Sequence, residues 1–188
     1  IRETHAVIQV VRCFEDENIV HVEGSVNPVR DIETIQIELA LADLASAEKR
    51  RDKAMRAAKA GDKDAKREIE ILDKLQPVLE EGRPARSVDL ADEEKSIVKT
   101  WFFLTTKPTI YAANVDEATL ADPASNQHVQ AVMKHAESEN ADVVPICAKL
   151  EAELVALDPA ERDEYLKDLG LSSSGVDKLI KAAYHMLG

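Results

Sequence analysis

Asn114-Val115-Asp116-Glu117 and Cys147-Ala148-Lys149 are the segments whose residue types and positions could do recognition chemistry. They close two apolar runs, Thr109–Asn114 and Asp142–Ala148, that read as strands. Ligands of open α/β sheets bind at the carboxyl ends of strands. A side-chain amide and a carboxylate there can bond the edge of a nucleotide base, while the aliphatic Val115 covers a ring face. At the second segment, backbone N–H groups and the Lys149 stem can complete the pocket. The plainer reading of the tetrad is an Asx-type turn opening a helix.

A second chemistry is carried by charge. Lys49, Arg50, Arg51, Lys53, Arg56, Lys59, Lys63, Lys66 and Arg67 face only Asp52, Asp62 and Asp64 between positions 49 and 67. That stretch stands at +6 in a chain of net charge −12, which leaves −18 on the remainder. The plainer reading is a solvated helix face laced with i, i+4 pairs. Segregated cations of this kind also suit sequence-independent, salt-sensitive contact with an RNA backbone. The acidic remainder argues against a generic nucleic-acid-binding surface.

Other candidates carry less. Cys13 and Cys147 have no metal-ligand spacing and read as small buried hydrophobes. His5, His21, His128, His135 and His185 form no metal pattern, and no carboxylate stands at ligand spacing from His128 or His135. They read as surface or packing residues. Neither a phosphate-cradling Gly-x-x-x-x-Gly-Lys-Ser/Thr loop nor an Asp-x-x-Gly segment is present.

Several elements must position these residues. Ala6–Phe14 is a nearly continuous apolar run, as expected of a parallel strand buried on both faces. From Asp31, with Pro28 just before it, Ile32, Ile35 and Leu39 recur at helical spacing, and the helix is expected to run to about Ala60. Ala60-Gly61-Asp62 reads as a turn, with Gly61 as left-handed cap. A second helix returns through Ile69, Leu72, Leu75 and Leu79, with Pro77 framing its last turn. A third is expected over about Asp92 to Phe103. A helix over Asn126 to Glu139 separates the two strands, and an amphipathic helix over Gly175 to Leu187 presents Val176, Leu179, Ile180, Ala183 and Leu187 on one face. Strand and helix alternating in this way imply a parallel α/β sheet. With aromatics at 4%, its core must be mainly aliphatic. Two cysteines and no apolar run near the roughly 20 residues of a spanning helix predict a cytoplasmic chain without a membrane segment. Beginning at Ile1, the chain reads as a fragment.

The two tetrad-like loops also carry a resemblance. P-loop GTPases have Asn-Lys-x-Asp at the first and Ser-Ala-Lys at the second, where this chain has Asn-Val-Asp-Glu and Cys-Ala-Lys. Asn-x-x-Glu resembles the YchF branch of the Obg-like family. So do Val11–Asp16, His21–Gly24, Asn27–Glu33, Glu38–Leu44, Gly61–Lys66 and Ala148–Leu154. The resemblance implies a P-loop NTPase sheet of the Obg type, residues 1–30 and 104–188, interrupted by an antiparallel α-helical hairpin (coiled coil) over residues 31–103. It implies an ATP-preferring hydrolase that binds ATP and ADP and associates with the ribosome or ribosomal RNA, the hairpin being the surface for it. The expected nucleotide-site residues are Asn114, Val115, Glu117, Cys147, Ala148 and Lys149. The Mg2+ ligands and the catalytic residues are expected outside this chain, so the chain alone is expected not to hydrolyse ATP, and to be monomeric. Chemistry supports the adenine preference: an Asp clamping guanine N1–H and N2–H2 discriminates strongly, and Glu117 with Val115 removes that clamp. A GTPase, or a non-catalytic ribosome- or nucleic-acid-binding adaptor, are the alternatives.

Overall fold

The computed structural model describes residues 3–16 and 25–188. His21, Val22, Glu23 and Gly24, which carry part of the resemblance, lie outside the described residues. The chain divides into two compact units, Ile1–His5 with Glu33–Pro108, and Ala6–Ile32 with Thr109–Gly188.

The second unit is built on a parallel sheet of β1 (Val7–Arg12), β2 (Thr109–Asn114) and β3 (Asp142–Ile146), in the order β1-β2-β3. Val7 pairs with Thr109 and Arg12 with Asn114, and Asn114 pairs in turn with Ile146, so all three strands end at one edge. The central strand β2 is buried along almost its whole length. Its period-2 alternation sends Tyr111, Ala113 and Val115 to one face, where they pack with Val129, Val132 and Ala136 of helix α4 (Gln127–Glu139). Ile110 and Ala112 point the other way, with Val144 and Ile146, onto Leu179, Ala182, Ala183 and Met186 of α7 (Gly175–Leu187). Helices on both faces make this an α/β layer arrangement.

Two expectations are corrected in this unit. Strand β1 is not buried on both faces, for Ile8 is 45% and Val10 61% exposed, as befits an edge strand among those described. On α7 the buried face is Leu179, Ala182, Ala183 and Met186, so Val176, Ile180 and Leu187 lie exposed. Two further helices not foreseen are α5 (Ala148–Val155) and α6 (Pro159–Asp168), the latter started by an Asp158/Glu161 capping box.

The first unit is helical. Helix α1 (Pro28–Lys59), whose first turn belongs to the sheet unit, is joined to α2 (Lys63–Glu80) by a turn in which Gly61 takes φ +92°. Asp62 caps α2 by accepting from the Asp64 and Ala65 N–H groups. Ala40 and Ala47 of α1 pack in one core with Ile71, Leu72, Leu75 and Leu79 of α2. Arg50 pairs with Glu68 at 3.3 Å and Arg51 with Asp73 at 2.5 Å, across the two helices. Pro77 lies inside α2, which continues to Glu80. Helix α3 (Asp92–Lys99) is shorter than expected, because Phe102 adopts φ +55° and the chain turns before it. Residues 104–108, which the sequence reading places with the sheet, pack with the helices. Buried Asp43 on α1 holds them by accepting from Leu104 N–H at 2.8 Å and Thr105 N–H at 2.7 Å.

Candidate functional site

The carboxyl ends of β2 and β3 are stitched together by their own loops. The Val115 N–H donates to the Ile146 carbonyl at 2.8 Å, extending the ladder one step past the strands. Asn114 turns its side chain towards the second loop, where Oδ1 accepts from the Ala148 N–H at 3.0 Å. On the other side, Cys13 N–H donates to the Asn114 carbonyl at 2.7 Å. The Asn114 side chain therefore fixes the distance between the tetrad and the Cys147-Ala148-Lys149 segment. Cys147 is the N-cap of α5 and Ala148 its first residue, so the second loop is a strand end turning directly into a helix.

Of the sequence-predicted residues, Asn114 is half-buried, and Glu117, Ala148 and Lys149 are exposed around the stitched ends. Asp116 makes the Asx turn, accepting from Thr119 N–H at 2.8 Å, and a one-turn 3-10 helix, Ala118–Ala121, follows. Glu117 is thereby held at the start of that turn with its carboxylate in solvent. Val115 is a correction: it is 2% exposed and packs with Val11, Cys13, Tyr111 and Val129. Its side chain belongs to the core and not to a ring-covering surface. Cys147 is likewise buried, with Leu150, Leu154 and Leu166 around it, so its side chain belongs to the core.

The sequence reading missed what surrounds this edge. Tyr165 on α6 donates to Glu153 at 3.1 Å, and that hydrogen bond, more than the nearby charges of Glu153 and Glu117, holds its hydroxyl above the usual tyrosine value. Glu151, in the first turn of α5, accepts from the Gly175 N–H at 2.6 Å. A motif search has no reason to join residues 24 apart.

Cys13 is fully buried, and burial first, with the Asp31 carboxylate second, pushes its thiol up to about 12. This agrees with a packing cysteine and not a reactive one. Because the folded value lies above the ordinary 9.0, the thiol favours folding fully below about pH 9 and loses that contribution as pH rises through about 12. The unfolding free energy of the sheet unit should therefore fall less steeply from pH 9 to 12 in Cys13→Ala than in the parent. Parallel urea-denaturation profiles for the two proteins over that range would refute this.

The histidines need one correction. His135 has a carboxylate four residues on, with Glu139 Oε1 3.6 Å from its Nε2, and Glu139 also accepts from the Tyr111 hydroxyl at 2.8 Å. His128 lies 3.3 Å from Glu15. Among the described residues no group of three or more His, Cys, Asp or Glu is arranged to hold a metal ion, and no step is assigned to Mg2+ in this chain. Nor is any helix among them long and apolar enough to cross a membrane.

The basic stretch separates into two classes. Arg50, Arg51 and Arg67 are tied to Glu68, Asp73 and Glu93, and the Arg50 guanidinium lies 4.9 Å from the centroid of the Trp101 ring. Lys49, Lys53, Arg56, Lys59, Lys63 and Lys66 are exposed and make no ion pair among the described residues. They cluster toward the turn between α1 and α2.

No protein-family model matches the chain. It is 47% identical over 188 residues to the ribosome-binding ATPase YchF of Bacillus subtilis. Over 187 residues it is 48% identical to the protein of that name from Pasteurella multocida and 46% to that from Escherichia coli O157:H7. Each match takes in the whole chain and 51% of the relative, so the chain spans about half the length of the curated relatives it matches. Among solved structures, the YchF GTPase of Schizosaccharomyces pombe superimposes with a TM-score of 0.82 at 30% identity, covering 99% of this chain and 51% of the other.

Proposed function

We infer that the chain belongs to the YchF family, to whose members it is similar over its whole length, and that it is the base-reading part of an ATP-preferring nucleotide hydrolase that works on the ribosome. The observation that carries this is the Asn114–Ala148 hydrogen bond, which joins two loops at a strand-end edge and leaves Glu117 and Lys149 facing solvent on either side of it. Base recognition needs donors and acceptors pre-positioned at one rigid edge, since an unpaired wrong base then costs the site its hydrogen bonds. Glu117 supplies the acceptor, the Lys149 stem supplies apolar cover, and the backbone at Cys147 and Ala148 supplies polar contacts. Phosphoryl transfer belongs to a phosphate loop and metal ligands that this chain does not contain, so the chain by itself is expected to turn over no ATP.

The names of the relatives divide between ATPase and GTPase, and one experiment decides between them for this protein. In the protein at its relatives' full length, ATP is expected to outcompete GTP. Glu117→Asp is expected to shift the ratio of affinities toward GTP by about tenfold or more, the worth of one hydrogen bond to a charged group. Val115 is left unchanged, because a lysine there would carry its charge into the core. Equal or tighter binding of GTP by the parent protein would hand the assignment to the GTPase reading.

The six unpaired cations near the α1–α2 turn support a second role for the same protein, contact with ribosomal RNA. RNA binding that persists without nucleotide would favour an adaptor; ribosome affinity that changes with nucleotide would favour a switch.

A further inference from the structure

We propose that Glu151 is a positioning residue for the nucleotide base, acting through Gly175; the proposal rests on the base-reading role given above. Glu151 is one helical turn from the second loop, its own N–H donating to the Cys147 carbonyl at 3.0 Å. Its carboxylate reaches out of that helix, and Oε1 accepts from the Gly175 N–H at 2.6 Å. Gly175 is the first residue of α7, the helix that packs through Leu179, Ala182, Ala183 and Met186 on Ile110, Ala112, Val144 and Ile146. One carboxylate therefore ties the start of α5, and with it Cys147, Ala148 and Lys149, to a helix seated on the sheet. It sits in the first turn of α5 and against the first N–H of α7, where unpaired N–H groups favour a negative charge.

The glycine is required by the same contact. A Cβ at position 175 would stand 2.9 Å from Glu151 Oε1, 2.9 Å from Ile146 Cγ2 and 3.1 Å from the Ile146 Cα. The last of these is backbone and cannot swing away. Ile146 is also the residue whose carbonyl receives the Val115 N–H, so any displacement at position 175 reaches the joint between the two base loops. Opposite sides of one contact, Glu151 and Gly175, control the same strand end.

The test compares ATP with inorganic tripolyphosphate, which has the phosphates and no base, in the protein at its relatives' full length. Glu151→Ala and Gly175→Ala are each expected to weaken ATP about tenfold, the worth of one hydrogen bond to a charged group, and to leave tripolyphosphate unchanged. Glu151→Gln, which keeps an acceptor oxygen at the same reach, is expected to bind ATP within about twofold of the parent, allowing for the weaker neutral acceptor. A second readout needs no nucleotide: amide exchange at Ala148, whose N–H donates to Asn114, should accelerate in Glu151→Ala and not in Glu151→Gln. Equal losses for ATP and tripolyphosphate would make Glu151 a merely structural residue and overturn the proposal, as would an unchanged ATP affinity in Glu151→Ala. If Glu117→Asp shifts the ATP-to-GTP ratio while Glu151→Ala leaves ATP binding intact, this inference alone fails. If the parent binds neither ATP nor GTP more tightly than tripolyphosphate, the base-reading role falls and takes the proposal with it.

Discussion

Asp43→Ala is expected to lower the unfolding free energy of the helical unit by about 3 kcal/mol or more, the range for stripping buried donors of a charged acceptor. Asp43 is fully buried on α1 and accepts hydrogen bonds from Leu104 N–H, Thr105 N–H and, at 2.8 Å, the Thr105 hydroxyl. That hydroxyl in turn accepts from the Ala85 N–H at 2.9 Å, and the Thr105 carbonyl accepts from Arg86 N–H at 3.1 Å. One carboxylate thus secures three separate stretches of the unit. Alanine, the best helix former, loses nothing within α1, so the cost comes from the donors left without partners. Asn is expected to rescue little: its NH2 would replace one carboxylate oxygen and face a backbone donor there. Trp101, the only tryptophan, is buried in this unit, so its fluorescence during urea denaturation follows the unit directly. A loss below about 1 kcal/mol, the worth of one ordinary hydrogen bond, would show the Asp43 network to be dispensable.

The Asp43 network was invisible in the sequence for the same reason as the Glu151–Gly175 contact. Both join residues distant along the chain, and neither forms a local pattern. What was legible is local. The apolar runs at 109–114 and 142–146 are bounded by polar turns and form β2 and β3, and the spacing of Leu72, Leu75 and Leu79 gives α2 its buried stripe. Helices α5 and α6 were passed over because they are 8 and 10 residues long and rich in acids, though Asp158-Pro159 with Glu161 was a readable start signal. A tetrad read as a loop from its first residue misplaces Val115. The alternation of Tyr111 and Ala113 runs one step further and puts Val115 on the α4 face of the sheet. Periodicity gives the address of a side chain only while the ladder lasts, and here the Val115–Ile146 hydrogen bond prolongs it past Asn114. The tetrad therefore retains two outward-facing carboxylates: Asp116 is spent on its turn and Glu117 stands in solvent.

The charges near the α1–α2 turn lead to the other large effect. Neutralising Arg56, Lys59, Lys63 and Lys66 together, each to Gln, is expected to abolish most salt-dependent binding of a ribosomal-RNA duplex. Four phosphate contacts predict a slope of log K against log salt near −3 to −4, hence a loss of about a hundredfold in affinity between 50 and 200 mM salt. The quadruple variant should bind weakly at low salt and show a slope no steeper than about −1 to −2, what Lys49 and Lys53 can still supply. The rest of the chain, at −18 outside the basic stretch, repels RNA and cannot substitute. Arg50, Arg51 and Arg67 provide the internal control, because their partners Glu68, Asp73 and Glu93 already neutralise them. Arg51→Gln should leave the slope unchanged within about 0.3 unit, against the roughly 0.9 of one lost phosphate contact, since an exposed cation already paired releases few counterions. Fluorescence anisotropy of a labelled duplex across a salt series measures all three proteins. A slope that survives the quadruple change would move RNA contact away from the turn, whereas a slope that falls equally in Arg51→Gln would mean that net charge alone, and not the unpaired cluster, drives association.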